Sequence, residues 1–152
     1  MLIKTHLAIT LFLVLGLISF VNNKIVFVVV ALLATYIPDI DSKHSKIGYH
    51  WYFRPLQWIA DHRGMIHSFT FLFSIILLFV LFFPIIALPF FVGYASHLLA
   101  DSFTLEGIKP FYPWKKKSFW KVRTGGRTEI TILVVFLFVD LFLFVAKFNS
   151  IF

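Results

Sequence analysis

The stretch "IVFVVVALLATYIPDIDSKHSKIG", residues 25–48, decides how this chain folds. From Ile25 to Ile37 only Thr35 and Tyr36 carry a polar group, which reads as a helix in an apolar medium. Pro38 then opens a run holding two carboxylates, Asp39 and Asp41. Charge at the edge of lipid is costly, so such residues have a partner or a job.

Working outward, four more apolar runs follow the same pattern: Leu7–Val21, Phe69–Phe83, Ile85–Ala100 and Ile130–Ala146. The 152 residues are 60% hydrophobic and 20% aromatic, with 14% charged, against about 25% charged in an ordinary soluble domain. A soluble domain of this size has no interior large enough for that apolar content, so lipid is the solvent. A span needs roughly 20 apolar residues. Several runs are shorter, so polar or aromatic flanks complete the crossing or the bilayer thins locally. Ser68–Ala100 is too long for one helix, and Pro84, with Pro89 as a second candidate, divides it. The predicted fold is an all-α polytopic membrane bundle of about five transmembrane helices. It forms a single membrane domain over residues 1–152, with a motif-bearing core at 4–113 and a basic interfacial loop at 114–129. The last helix, 130–148, is expected to be the least tied to the others.

Lys4 and the apolar run after it resemble a signal peptide, but Ser19–Asn23 offers no small-x-small cleavage site, so the first helix is expected to be retained. The absence of cysteine excludes disulfides, iron–sulfur clusters and thiolate metal sites.

Five helices place the loops alternately on two faces. One face receives the N-terminus and the 38–67 and 101–129 loops, and with them every basic residue except Lys24 and Lys147. The positive-inside rule makes that face cytoplasmic. Topology and anionic headgroups account for the net charge of +7, and no nucleic acid partner is implied. The expected location is the plasma (inner) membrane of a prokaryote, with the N-terminus and the active face cytoplasmic.

The polar motifs fall on the same face. His6 begins the first helix, Asp39 and Asp41 end the second, His62 and His67 open the third, and His97 and Asp101 close the fourth. His97 and Asp101 are i,i+4 and share a helix face. Pro38 disfavours helix at Ile37, so Pro38–Asp41 is predicted to be extended, pointing both aspartates one way. Gly64 lets the chain bend between His62 and His67. Three Asp and four His thus converge, all oxygen or nitrogen donors, and a cation would cancel several buried carboxylates at once. His44 and His50 read as surface residues. Asp61 is either exposed or an orienting carboxylate behind a histidine. Asp140, in "VFLFVDLFLF" (135–144), lies far from this face and reads as a hydrogen bonder or a homo-oligomer contact. "WKKKSFWKVR" (114–123) reads as an interfacial segment with aromatic anchors and snorkelling lysines.

The set Thr5-His6, Pro38–Asp41 with Ser45 and Gly48, His62–Gly64 with His67-Ser68, and Gly93–Asp101 with Gly107-Ile108 and Pro110 resembles the membrane-bound metal-dependent hydrolase family, YdjM/YbcI-like. The resemblance covers roughly residues 4–113. Members commonly carry His directly after "PDID"; this chain has Ser42 there, with His44 two residues on.

The resemblance implies a hydrolase with one or two divalent metal ions, zinc first, manganese or iron as alternatives. Its ligands would be His6, Asp39, Asp41, His62, His67, His97 and Asp101. Seven donors exceed the four of a mononuclear zinc site, which suits a two-metal centre. Metal-activated water would attack a phosphoester, with Asp41 or His62 as base and Arg63, helped by Lys43, holding phosphate. A site at headgroup level points to membrane lipids or a lipid-linked substrate. The competing readings are a metal that only staples the bundle and, further off, a cation transporter. Transport needs polar groups on both faces, and the opposite face offers little beyond Asn22, Asn23 and Lys24. A metal-free lipid phosphatase shares only His97-x-x-x-Asp101 and lacks that class's Pro-Ser-Gly-His and Ser-Arg elements.

Overall fold

Each of the five apolar runs is helical in the computed structural model, which describes residues 1–41, 50–51 and 64–148. Helix α1 (Ile3–Leu17) continues as a 3-10 turn over Ile18–Phe20, and α2 (Lys24–Tyr36) is followed by a 3-10 turn over Pro38–Asp41. Then come α3 (Phe69–Phe82), α4 (Pro84–Ser102) and α5 (Arg127–Ala146). Ser68 starts α3, its hydroxyl accepting from Phe71 N–H at 3.2 Å. Pro84 takes the first position of α4, where a missing N–H costs nothing. Pro89 sits one turn further in and does not break the helix.

Three helical stretches, Ile3–Phe20, Pro84–Ser102 and Arg127–Ala146, are long and apolar enough to cross a membrane. Helices α2 and α3, with 13 and 14 residues, reach only about 20 Å at 1.5 Å per residue. That falls short of a hydrocarbon core of roughly 30 Å.

Successive helices run antiparallel, so the start of α1, the end of α2, the start of α3 and the end of α4 share one end of the bundle. α4 lies at the centre, packed against α1, α2 and α3. Its contact with α2 is close because Gly93 has no side chain: a Cβ there would stand 2.0 Å from Ala31 O. Interior side chains form layers down this bundle. Below the ionisable cluster, Thr10 Oγ1 bonds Thr35 Oγ1 at 2.9 Å and Ser96 Oγ at 2.7 Å. One helical turn further down, at i+4 on α1 and i−4 on α2 and α4, lie Val14, Ala31 and Val92, joined by Phe27.

Pro38–Asp41 is a 3-10 turn, not extended, and Ile37 keeps helical angles (φ −63°, ψ −41°) despite the proline after it. The helix-end bonds Ile37 N–H to Ala34 O and Ile40 N–H to Ile37 O outweigh the pre-proline preference. Likewise the last helix is firmly tied: α5 runs alongside α1 in the same direction. Lys147 Nζ donates to Gly16 O at 2.9 Å at one end, and Leu2 N–H donates to Glu129 Oε1 at 2.6 Å at the other. Asp140 is 4% exposed. Its carboxylate makes no hydrogen bond among the described residues.

The 114–123 segment returns across the end of α4. Ile108 and Ser118 exchange backbone hydrogen bonds of 2.9 Å each. Gly107, at φ +60°, makes this approach possible, since a Cβ there would lie 2.1 Å from Ser118 O. Trp114, Phe119 and Trp120 stay exposed.

Candidate metal centre

Five of the seven expected donors meet at the end of the bundle: His6 from α1, Asp39 after α2, His67 before α3, and His97 and Asp101 from α4. The sixth, Asp41, stands directly behind His67. The seventh, His62, lies outside the described residues, as do Arg63, Lys43, Ser42, His44 and Asp61. His50 is exposed.

His97 is completely buried, and its Nδ1–H donates to Thr35 O at 2.7 Å. A carbonyl can only accept, so this bond fixes the tautomer and leaves a lone pair on Nε2. That atom makes no hydrogen bond among the described residues. It faces Asp39 Oδ1 at 3.7 Å and Asp101 Oδ2 at 3.8 Å. His67 is set in the same way: Nδ1–H donates to Asp41 Oδ2 at 2.8 Å, and Nε2 stands 3.8 Å from the same Asp101 Oδ2. Histidine nitrogens carrying lone pairs thus face carboxylate oxygens across gaps too wide for a hydrogen bond. Donors around a tetrahedral zinc at 2.0–2.2 Å sit about 3.3–3.6 Å apart. A shift of a few tenths of an ångström would bring these atoms onto a cation.

On the other side of Asp101, Oδ1 lies 3.3 Å from His6 Nε2 and also meets the amino group of Met1. Among the described residues, two donor groups could each hold an ion: His6, His97 and Asp101, and Asp39, His67 and His97. The second group converges well, with the His67 and His97 rings inclined at 65°. In the first, the His6 and His97 rings are stacked 3.8 Å apart at an interplanar angle of 3°. Lone pairs in parallel planes never meet, so these two histidines are poorly arranged to share one ion.

Electrostatics fit a cation as well. Burial pushes the Asp39 carboxyl above the ordinary carboxylate range, and neighbouring His6 and His67 pull it partly back. Desolvated carboxylates crowded in this way are costly unless positive charge joins them.

Sequence reasoning missed two supports. Thr35 reads as a stray hydroxyl in an apolar run, yet its carbonyl orients His97. Glu129 reads only as the end of a loop, yet it is fully buried and fastens α1. Besides Leu2 N–H it accepts from the Thr5 hydroxyl at 2.9 Å and from Gly125 N–H at 2.6 Å. The one available signal was an acidic residue in the first turn of an otherwise apolar helix.

Fold and site together define a small multi-helix membrane protein with a buried histidine–aspartate cluster whose donors lie close enough together for a metal site. The sequence matches the YdjM inner membrane protein family over residues 1–151, and the chain belongs to that family. The "Inner membrane protein YdjM" of Escherichia coli (strain K12) is 34% identical over 102 residues, covering 61% of this chain and 50% of the relative. The protein of the same name in Shigella flexneri matches to the same extent. The chain thus spans about half the length of the curated relatives it matches. No solved structure matches it.

Proposed function

We propose that this protein is a membrane-embedded metal-dependent hydrolase acting on a phosphoester of a lipid or lipid-linked substrate at the cytoplasmic face. The observation that carries this reading is the pair of buried histidines, His67 and His97, each tied back through Nδ1 and each presenting Nε2 to carboxylate oxygens. Asp39, His67, His97 and Asp101 Oδ2 would hold one ion, and His6 with Asp101 Oδ1 would contribute to a second. Asp101, with one oxygen on each side, is the bridging candidate. Mixed imidazole and carboxylate donors suit zinc, manganese or iron.

A divalent ion held there supplies Lewis acidity and lowers the pKa of water toward neutrality. The chain's own residues do the rest. Asp41 holds His67 in one tautomer and one orientation, and the Thr35 carbonyl does the same for His97. Asp39, about one-quarter exposed, is the cluster carboxylate with access to solvent, where a proton can be passed out. Arg63 would clamp phosphate.

A structural reading has its own support, because the same donors join α1, α4, the end of α2 and the start of α3. The deciding experiment is elemental analysis of detergent-purified protein combined with a hydrolysis screen over phospholipids and lipid-linked phosphates. The hydrolase reading expects one or two ions per chain and metal-dependent turnover. Full metal content with no turnover in the screen, and ligand variants that simply melt earlier, would leave the staple.

A further inference from the structure

A cavity of about 500 Å³ lies beside the cluster, between α1, α4, α5 and the returning 114–123 segment. Phe12 and Leu13 of α1, Leu99 and Ala100 of α4, and Ile132 and Phe136 of α5 form its walls. Edge-to-face packing of Phe12 and Phe136, with ring centroids 5.4 Å apart, closes one side. Among the described residues, Ser96 and the indole of Trp120 are the lining side chains that carry a polar atom, and the Ser96 hydroxyl is already bonded to Thr10 and to Gly93 O. The rest of the described lining is apolar and favours a hydrocarbon occupant over a sugar, a base or an ion. Its size falls within the roughly 300–1,000 Å³ of small-molecule sites.

The position of the cavity narrows the choice of occupant. Its helical walls, α1, α4 and α5, belong to the stretches of membrane-spanning length, so it opens where hydrocarbon is the surrounding medium. Its other end reaches Met1, whose amino group contacts Asp101 in the cluster, and Ala100, the residue before Asp101. Trp120, 63% exposed, stands at the rim as an interfacial anchor.

We propose that this cavity seats one alkyl chain of a membrane lipid, with the lipid's phosphate headgroup reaching the histidine–aspartate cluster. The chain seat stands on the shape, lining and membrane level of the cavity. The headgroup placement rests on the hydrolase reading above. A lipid bound in this way enters sideways from the bilayer, and its scissile group is delivered to the buried donors without leaving the interface.

The test reads binding, not turnover. The full chain is reconstituted in phosphatidylcholine vesicles carrying trace phosphatidic acid with a photoreactive diazirine near the end of one acyl chain. Labelled residues are mapped by mass spectrometry, in parallel with the same diazirine on diacylglycerol, which lacks the phosphate. Labelling is expected at Leu99 and Ile132 well above that at Leu77 and Leu81, which are 61% and 65% exposed on α3 and report ordinary surrounding lipid. Ile132→Trp and, separately, Leu99→Trp fill the cavity. Each is expected to cut cavity labelling about tenfold, the scale of losing contact with a couple of buried methylenes. Labelling on α3 and the melting temperature should stay unchanged. With zinc present, phosphatidic acid should outcompete diacylglycerol. Cavity labelling no stronger than that on α3 overturns the chain seat, whatever the hydrolysis screen finds. Strong cavity labelling that is indifferent to phosphate and zinc overturns the headgroup placement alone.

Discussion

His67 Nδ1 donates to Asp41 Oδ2 across 2.8 Å, and neither side chain is exposed. If His67 holds a metal, Asp41 orients that ligand, a role beside those of ligand and base that the sequence suggested for it. Removing such an orienting carboxylate typically costs 10–100-fold in metal affinity. Asp41→Asn should weaken zinc binding by about that factor, yet still load at saturating metal. Competition titration against a chelating dye checks this. Wild-type affinity in Asp41→Asn would show that the pair does not serve a metal.

Removing metal should loosen the whole bundle, because the donors belong to four separate stretches of chain. Binding to the folded state alone stabilises by about 2.7 kcal/mol at a hundredfold excess over Kd. The melting temperature in detergent should fall on chelation and rise steadily with free zinc. A melting curve indifferent to both would remove the ion from any role in the fold.

Gly93→Ala tests how the helix contact positions the site. The added Cβ would overlap Ala31 O, so α2 and α4 must separate. Overpacking of this kind costs about 1–3 kcal/mol. It also draws Thr35 O, one turn along α2, away from His97 Nδ1. The variant is expected to lose metal affinity together with stability. Lost stability with unchanged affinity would show that the Thr35–His97 bond is not what positions the ligand.

Glu129→Ala should destabilise without directly touching the donors. It strands Leu2 N–H, the Thr5 hydroxyl and Gly125 N–H, at about 1–3 kcal/mol for a buried donor left unsatisfied. The melting temperature should drop by several degrees, while zinc content at saturation persists. Glu129→Gln, which keeps one good acceptor, should fall between.

Orientation is tested with single cysteines in this naturally cysteine-free chain. Lys116→Cys should resist an impermeant thiol reagent added outside intact cells, and Asn22→Cys should react. The reverse pattern would put the cluster on the outer face.

The helices were legible because hydropathy is a local property: every helix found lies on an apolar run, and Ser68 and Pro84 mark their starts in the sequence. Gathering His6, Asp39, His67, His97 and Asp101 at one end was legible too, because antiparallel threading fixes which ends meet. Other features depend on tertiary contact. Nothing local says that Ile37 stays helical before a proline, that Thr35 O meets His97, or that Glu129 fastens α1. The packing of α5 on α1 was hidden for the same reason, since α5 is apolar all round and shows no face of its own.

The hydroxyl layer of Thr10, Thr35 and Ser96 makes the centre a dead end. Directly beneath it, Val14, Phe27, Ala31 and Val92 are packed with at most 7% exposure. Among the described residues that layer offers no polar side chain to water or an ion, so a cation bound by the donors would have to arrive from the side on which they open. In sealed vesicles of uniform orientation, a membrane-impermeant chelator would strip the metal from one compartment only. On the metal-binding reading proposed above, the protein would be a docking port for a cation and not a conduit.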